Sequence, residues 1–211
     1  MTDTSRKQQF FGVFLAISAF FLWGLFPLYF CLLQEASSYI ILAFRAVTVS
    51  IFLVPVICIR HKWSSVLHVL KTPVLLASLC FTAAIICVNW WIFIWMVQNQ
   101  HTLHASFANY ICPLFNVVLG IVFFHERLCT LRKCAVVLGV VAVVVFAWGI
   151  GSVPWGSLAA AGSFALYSVG RKLIPVDSVS ALSVETIAIA PFGLAYIIYA
   201  PGGWCDNAVW V

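Results

Sequence analysis

Apolar residues run in long blocks along this chain, and polar residues gather in short gaps between them. Seven blocks are long enough, or nearly so, to cross a bilayer as a helix: Phe10–Leu33, Tyr39–Ile59, Val74–Val97, Ala105–Phe124, Cys134–Ile150, Val153–Val169 and Ala181–Ala200. A hydrocarbon core of about 30 Å asks for roughly 17–25 apolar residues. Within such a core the backbone finds no hydrogen-bond partner outside its own segment, which leaves helix as the form. The two blocks on either side of Gly151 are the shortest and could instead form one tight helical hairpin with that glycine at the turn. The pattern predicts an all-α, polytopic membrane bundle of about seven helices.

Composition agrees. Hydrophobic residues make up 64% of the chain and charged residues 8%, against roughly 45–50% and 25% in a soluble domain. The surrounding lipid is therefore the first partner. The net charge of +5 is explained by where the cations fall. Arg6 and Lys7 precede the first block. Arg60, Lys62 and Lys71 lie between the second and third, Arg127, Arg132 and Lys133 between the fourth and fifth, and Arg171 and Lys172 between the sixth and seventh. Ten of the eleven Lys and Arg residues thus fall on one side. Loops rich in Lys and Arg stay in the cytoplasm, which predicts a cytoplasmic-membrane protein with its N-terminus inside and the end of this chain outside. Arg6 and Lys7 resemble the start of a signal peptide, but the block that follows is too long and no small-residue cleavage pattern follows it. No basic patch interleaved with exposed aromatics occurs, so nucleic acid is not an expected partner.

The eleventh cation, Arg45, stands about six positions into the second block, roughly 9 Å below the outer boundary. Glu185 stands a few positions into the seventh. A charge at such depth costs on the order of 2.5–3.5 kcal/mol and usually faces a bundle interior or a wet cavity. Snorkelling to the headgroups is the plainer reading of Arg45, and snorkelling or helix capping that of Glu185. Entering from opposite faces, the two are not expected to pair. In the fourth block Asn109, Pro113, Asn116 and Gly120 share one helical face, and Pro113 frees the carbonyl of Asn109 and is expected to kink or break the helix. That face suits a seam or a cavity wall better than lipid. Ser78, Thr82, Asn89 and Phe93 make a similar stripe in the third block, beside Trp90, Trp91 and Trp95; the interfacial aromatic belt accounts for Trp95 but less well for the deeper Trp90. Gly156, Ala159, Ala160 and Ser163 are spaced for close helix packing.

Enzyme signatures fail. His125-Glu126 opens a zincin motif, but Cys129 occupies the position of its second histidine. There is no G-x-S triplet, no P-loop, no C-x-x-C pair and no close pair of carboxylates. His101 and His104 are spaced H-x-x-H, for which solvated loop histidines are the default reading. No metal or cofactor is implied, and the eight cysteines are expected to serve as small apolar side chains.

Specific residues carry a resemblance. The run Asn89-Trp90-Trp91-Ile92-Phe93-Ile94-Trp95, the segment from Ala105 through Asn109, Tyr110, Pro113 and Asn116 to Gly120, and its close at Phe124-His125-Glu126-Arg127-Leu128 resemble the RarD branch of the EamA transporters, within the drug/metabolite transporter superfamily. Trp23-Gly24, Phe44-Arg45 and Val184-Glu185-Thr186 agree with it, so the resemblance covers nearly the whole chain. It implies ten helices in two inverted five-helix halves. Residues 1–150 would be the first repeat and 151–211 the start of a second, incomplete one, as in a C-terminally truncated permease. The resemblance further implies movement of small metabolites or drugs by alternating access; no residue argues for a particular drug. The expected cavity residues are Arg45, Asn89, Trp90, Asn109, Tyr110, Asn116 and Glu185, with Pro113 as the helix break and Glu126 and Arg127 as an anchor at the end of the fourth helix. The rival expectation is a non-transporting fragment or a partner-dependent subunit, completed by a second copy or another chain.

Overall fold

The computed structural model describes residues 3–33, 36–125, 129–151 and 153–199. Among them the chain is all helical. The elements are α1 (Asp3–Leu32), α2 (Ser38–Ile59), α3 (Trp63–Lys71), α4 (Pro73–Gln98), α5 (Thr102–Phe124), α6 (Thr130–Ile150), α7 (Trp155–Leu173) and α8 (Ser178–Tyr199). All but α3 are long helices that alternate in direction, so the connections α2–α4, α5–α6 and α7–α8 share one end of the bundle, the basic end.

Six helices are long and apolar enough to cross a membrane: α1, α2, α4, α5, α6 and α8. The exception, α7, was among the seven expected spans. Its 19 residues reach about 28 Å, enough to cross, but they include Gly156, Ser157, Gly162, Ser163, Ser168, Arg171 and Lys172. It tolerates this composition because it is packed against α4 and α5, so protein rather than lipid covers much of it. α1 and α6, by contrast, are peripheral and largely exposed.

The seam between α4 and α7 organises the bundle. These helices run antiparallel, and their contacts step along the seam at intervals of seven residues on both. A Cβ built on Gly156 would lie 2.8 Å from Met96 Sδ. Asn89 Nδ2 donates to the Ala160 carbonyl at 2.6 Å and to Ser163 Oγ at 3.0 Å. A Cβ built on Gly170 would lie 2.8 Å from Thr82 Cγ2. Each larger residue of α4 meets a small one of α7, with the seven-residue spacing of left-handed helix pairs. The stripe containing Thr82 and Asn89 and the small residues of α7 thus form one interface. Around it, Ser157 Oγ of α7 donates to the His104 carbonyl of α5 at 2.6 Å. α8 meets α2 so closely that a Cβ on Gly193 would lie 3.0 Å from the Ala43 carbonyl oxygen. Gln98 Nε2 donates to the carbonyls of Leu33 and Ala36 at 3.0 and 2.5 Å, and Gln98 Oε1 accepts from Ser38 Oγ. It thereby ties the end of α4 to the α1–α2 connection.

Three features differ from the sequence expectations. The basic segment after α2 contains a further helix, α3. Nine residues are too few to span, but Val66 and Val69 fall on one face and are buried with Ile57, Leu79, Ala181 and Val184. Of the two readings around Gly151, the structure has the first, two separate helices α6 and α7; the φ of 73° at Gly151 is a left-handed helix cap that suits glycine. Arg171 and Lys172 are not in a loop but in the last turn of α7, where cations meet the negative end of the helix dipole. Pro113 does not break α5, which runs through it, as α1, α2 and α8 run through Pro27, Pro55 and Pro191; losing one backbone donor leaves the rest of the ladder intact. Glu126 and Arg127, the expected anchor, lie outside the described residues.

Asp177 caps α8. Its carboxylate accepts from the Ser180 amide at 3.2 Å and the Ser180 hydroxyl at 2.9 Å, and lies 3.4 Å from Lys62 Nζ. Partial burial works against the charge, but Ser180 and then Lys62 outweigh it and hold the carboxyl below the usual range.

Two outcomes follow in thermal unfolding of the purified protein. Gly193→Val should lower stability by about 1–3 kcal/mol, because the neighbour it strikes is backbone, whereas Gly24→Ala, with open space around it, should leave it unchanged. Asp177→Ala should cost about 0.5–2 kcal/mol as a lost cap. Because the folded-state pKa is the lower one, that stabilisation should be complete above the ordinary aspartate value of ~3.9. It should fade as pH falls through the depressed value.

Candidate functional site

Two polar centres lie within the helices, at opposite ends of the bundle. The first surrounds Glu185, seven residues into α8 and 1% exposed. Its Oε1 accepts from Thr82 Oγ1 of α4 at 2.6 Å, and its Oε2 from the Tyr167 hydroxyl of α7 at 3.1 Å. Arg171 Nε, one turn beyond Tyr167 on α7, lies 3.6 Å from Oε1, and its side chain is only 14% exposed. Three helices therefore converge on one carboxylate. A buried carboxylate requires such partners, since an unpaired charge in a low-dielectric interior is strongly disfavoured. Glu185 thus neither snorkels nor caps a helix, and it pairs with Arg171, not Arg45. The Nη1 atom of Arg171 is buried without a hydrogen-bond partner. Beside this cluster, toward the basic end, opens a cavity of about 430 Å³ lined by Tyr167, Ser168, Arg171, Lys172, Val176, Ser178 and Leu182.

The second centre is Arg45, in the half of α2 nearer the other end. Its guanidinium lies 4.2 Å from the centroid of the Trp90 ring of α4 and 5.8 Å from that of Phe26 of α1. Both are within cation–π range. Among the described residues no carboxylate pairs with it. Trp90 is thus a platform for a cation, which explains why it lies deeper than an interfacial belt. Three helices meet here as well.

The other expected site residues fall elsewhere. Asn89 is 9% exposed, and its amide is spent between α4 and α7. Asn109 and Tyr110 lie on the exposed side of α5, Tyr110 at 77%. Pro113 is also exposed. Asn116 is half-buried, its Nδ2 3.6 Å from Cys112 Sγ. The structure therefore joins Arg45 to Trp90, and it gathers around Glu185 three residues absent from the expected site: Thr82, Tyr167 and Arg171. Tyr167 and Arg171 stand four apart on one face of α7, and that spacing was the available signal.

The sequence model of the EamA-like transporter family matches residues 10–148. The chain belongs to the EamA-like transporter family. This EamA-like protein is of the RarD type. It is 38% identical over 195 residues to the protein RarD of Salmonella typhi, an alignment covering 92% of this chain and 66% of that protein. It is 40% identical over 188 residues to an uncharacterized transporter of Vibrio cholerae, covering 89% and 62%. It is 29% identical over 192 residues to the chloramphenicol-sensitive protein RarD of Pseudomonas aeruginosa, covering 89% and 64%. The EamA-like chain thus spans just under two thirds of the length of these relatives. No solved structure matches it.

The Glu185 cluster gives a test in unfolding experiments. Arg171→Ala should destabilise the protein by about 3–5 kcal/mol, because it strands a buried carboxylate. Adding Glu185→Gln to it should recover most of that loss. A double mutant as unstable as the sum of its parts would show that the two side chains do not act as a pair.

Proposed function

We propose that this chain is a permease rather than an enzyme, moving small metabolites or drugs across the cytoplasmic membrane by alternating access. The observation that carries the reading is a charged, three-helix centre buried in a membrane bundle of a transporter family. Charges at membrane depth are expensive and mark substrate or ion pathways. The Glu185 centre joins α4 to α7 and α8, the meeting place of a first five-helix repeat, residues 1–150, and a second that opens at 151–211. The end of the family match at residue 148, close to the Gly151 turn, supports that division. In transporters built of such repeats the substrate site lies between them near the midplane. Arg45, Trp90 and Glu185 line the route in this reading, with the half-buried Asn116 along its wall; Asn89 serves the α4–α7 seam instead, and Asn109 and Tyr110 lie on the exposed side of α5. Opening toward one side or the other loosens contacts at the Glu185 end or at the Arg45 end. The distribution of Lys and Arg supports an orientation with the N-terminus and the basic end in the cytoplasm.

Transport of radiolabelled chloramphenicol and of a panel of radiolabelled metabolites into inverted membrane vesicles tests this reading. Arg45→Ala and Asn116→Ala should each slow the transported compound by about tenfold or more, at unchanged protein level, as removal of a binding contact does. Unchanged rates in both would overturn the site assignment. A wild-type chain, folded and inserted, that moves no member of the panel would overturn the transport reading.

A further inference from the structure

We infer that the cavity at the basic end of α7 and α8 is an entry site for a small oxyanion, a carboxylate or a phosphate, received by Arg171. The inference rests on the permease reading and names the substrate class it implies: a metabolite carrying one of these groups. Its basis is an imbalance in the Glu185 cluster. The carboxylate is well supplied, with Thr82 on one oxygen, Tyr167 on the other and Arg171 Nε beside the first. The guanidinium is not. It carries five N–H donors in a rigid fork; Nε lies 3.6 Å from Glu185 Oε1, the group also interacts with Tyr167, and Nη1 is buried with no acceptor. A buried donor on a charged group is costly to leave unmet, and planar guanidinium favours two-pronged binding of carboxylate or phosphate over other ligands.

The surroundings favour the same sign of charge. Arg171 forms part of the wall of the cavity, which has a volume of about 430 Å³, room for a small metabolite. Lys172 adds a second cation to the wall, and Ser178 a hydroxyl. Ser178 is also the first residue of α8, so the positive end of that helix borders the cavity. The one nearby carboxylate on that turn, Asp177, is directed to Ser180 and Lys62 and lines a neighbouring cavity instead. Glu185 lies behind Arg171 and holds it in place.

The test is thermal unfolding of the purified protein in phosphatidylcholine nanodiscs. Acetate or inorganic phosphate is titrated against chloride at constant ionic strength. The unfolding midpoint should rise saturably with either anion. Arg171→Lys keeps the charge but loses the fork, and should raise the half-saturating concentration about tenfold; Lys172→Gln should raise it about threefold. Arg171→Lys, rather than a neutral variant, keeps Glu185 paired, so the fold is retained. No saturable rise in the wild type, or an unchanged response in Arg171→Lys, overturns the inference. Repeating the titration in phosphatidylglycerol nanodiscs separates the sources. A response that persists assigns the site to soluble anions, and one abolished by the lipid assigns it to a phospholipid headgroup and overturns the substrate reading. Because binding is measured without transport, a chain that transports but binds no anion defeats this inference alone. A chain that binds but does not transport defeats the permease reading alone.

Discussion

The antiparallel seam of α4 and α7 is the contact on which the remaining arrangement depends. α7 is too polar to face lipid along its length, and it is held in the bundle because α4 presents larger residues wherever α7 presents Gly156, Ser163 and Gly170. Asn89 fixes the register, since its amide can reach the Ala160 carbonyl and the Ser163 hydroxyl in only one alignment. A slip of one turn would bring Met96 or Thr82 against larger neighbours and leave a buried amide unmet. With α7 set in this way, Tyr167 and Arg171 arrive beside Thr82 at the depth where α8 carries Glu185. The polar centre is therefore positioned from a distance, by the Asn89 contact two turns away and the packing of Met96 on Gly156 four turns away.

Burial of charge is handled differently at the two ends. Glu185 meets hydroxyls and a guanidinium, which supply hydrogen bonds as well as charge. Arg45 meets aromatic faces, which stabilise a cation without neutralising it. A guanidinium stacked on Trp90 keeps its N–H edge open to hydrogen bonding, whereas a carboxylate with both oxygens taken has little left to offer. The two centres are unlike in what they present to a solute, and this asymmetry runs along the axis of the bundle.

Much of this was legible in the residues themselves. The spans followed from block length, because lipid imposes a minimum length on helices. Glu185 stood out because a lone carboxylate in an apolar block needs a reason. The stripe of Thr82 and Asn89 stood out through helical periodicity. What escaped had equally physical causes. Arg171 was grouped with loop cations because sequence shows where a residue is attached, whereas a long side chain in a last turn can reach back toward the interior. α3 escaped because nine residues fall below any spanning length; its amphipathic face is apparent only once Val66 and Val69 are seen against Leu79 and Val184. Asn109 and Tyr110 share a face with Pro113, yet that periodicity does not say which neighbour the face meets, and in this chain α7 takes the side of α5 bearing Ala105, Phe107 and Ile111.

The near-contact of Gly193 with Ala43 has a mechanical meaning. Where two helix backbones come this close, no side chain stands between them, and main chain alone sets the distance between α2 and α8. Further along the same pair, Ile57 of α2 shares a buried cluster with Ala181 and Val184 of α8. Glu185 lies between these two regions, about 12 Å from Gly193. Glycine here acts as a spacer of no thickness: it lets α8 sit at the depth where its carboxylate meets the Thr82 hydroxyl.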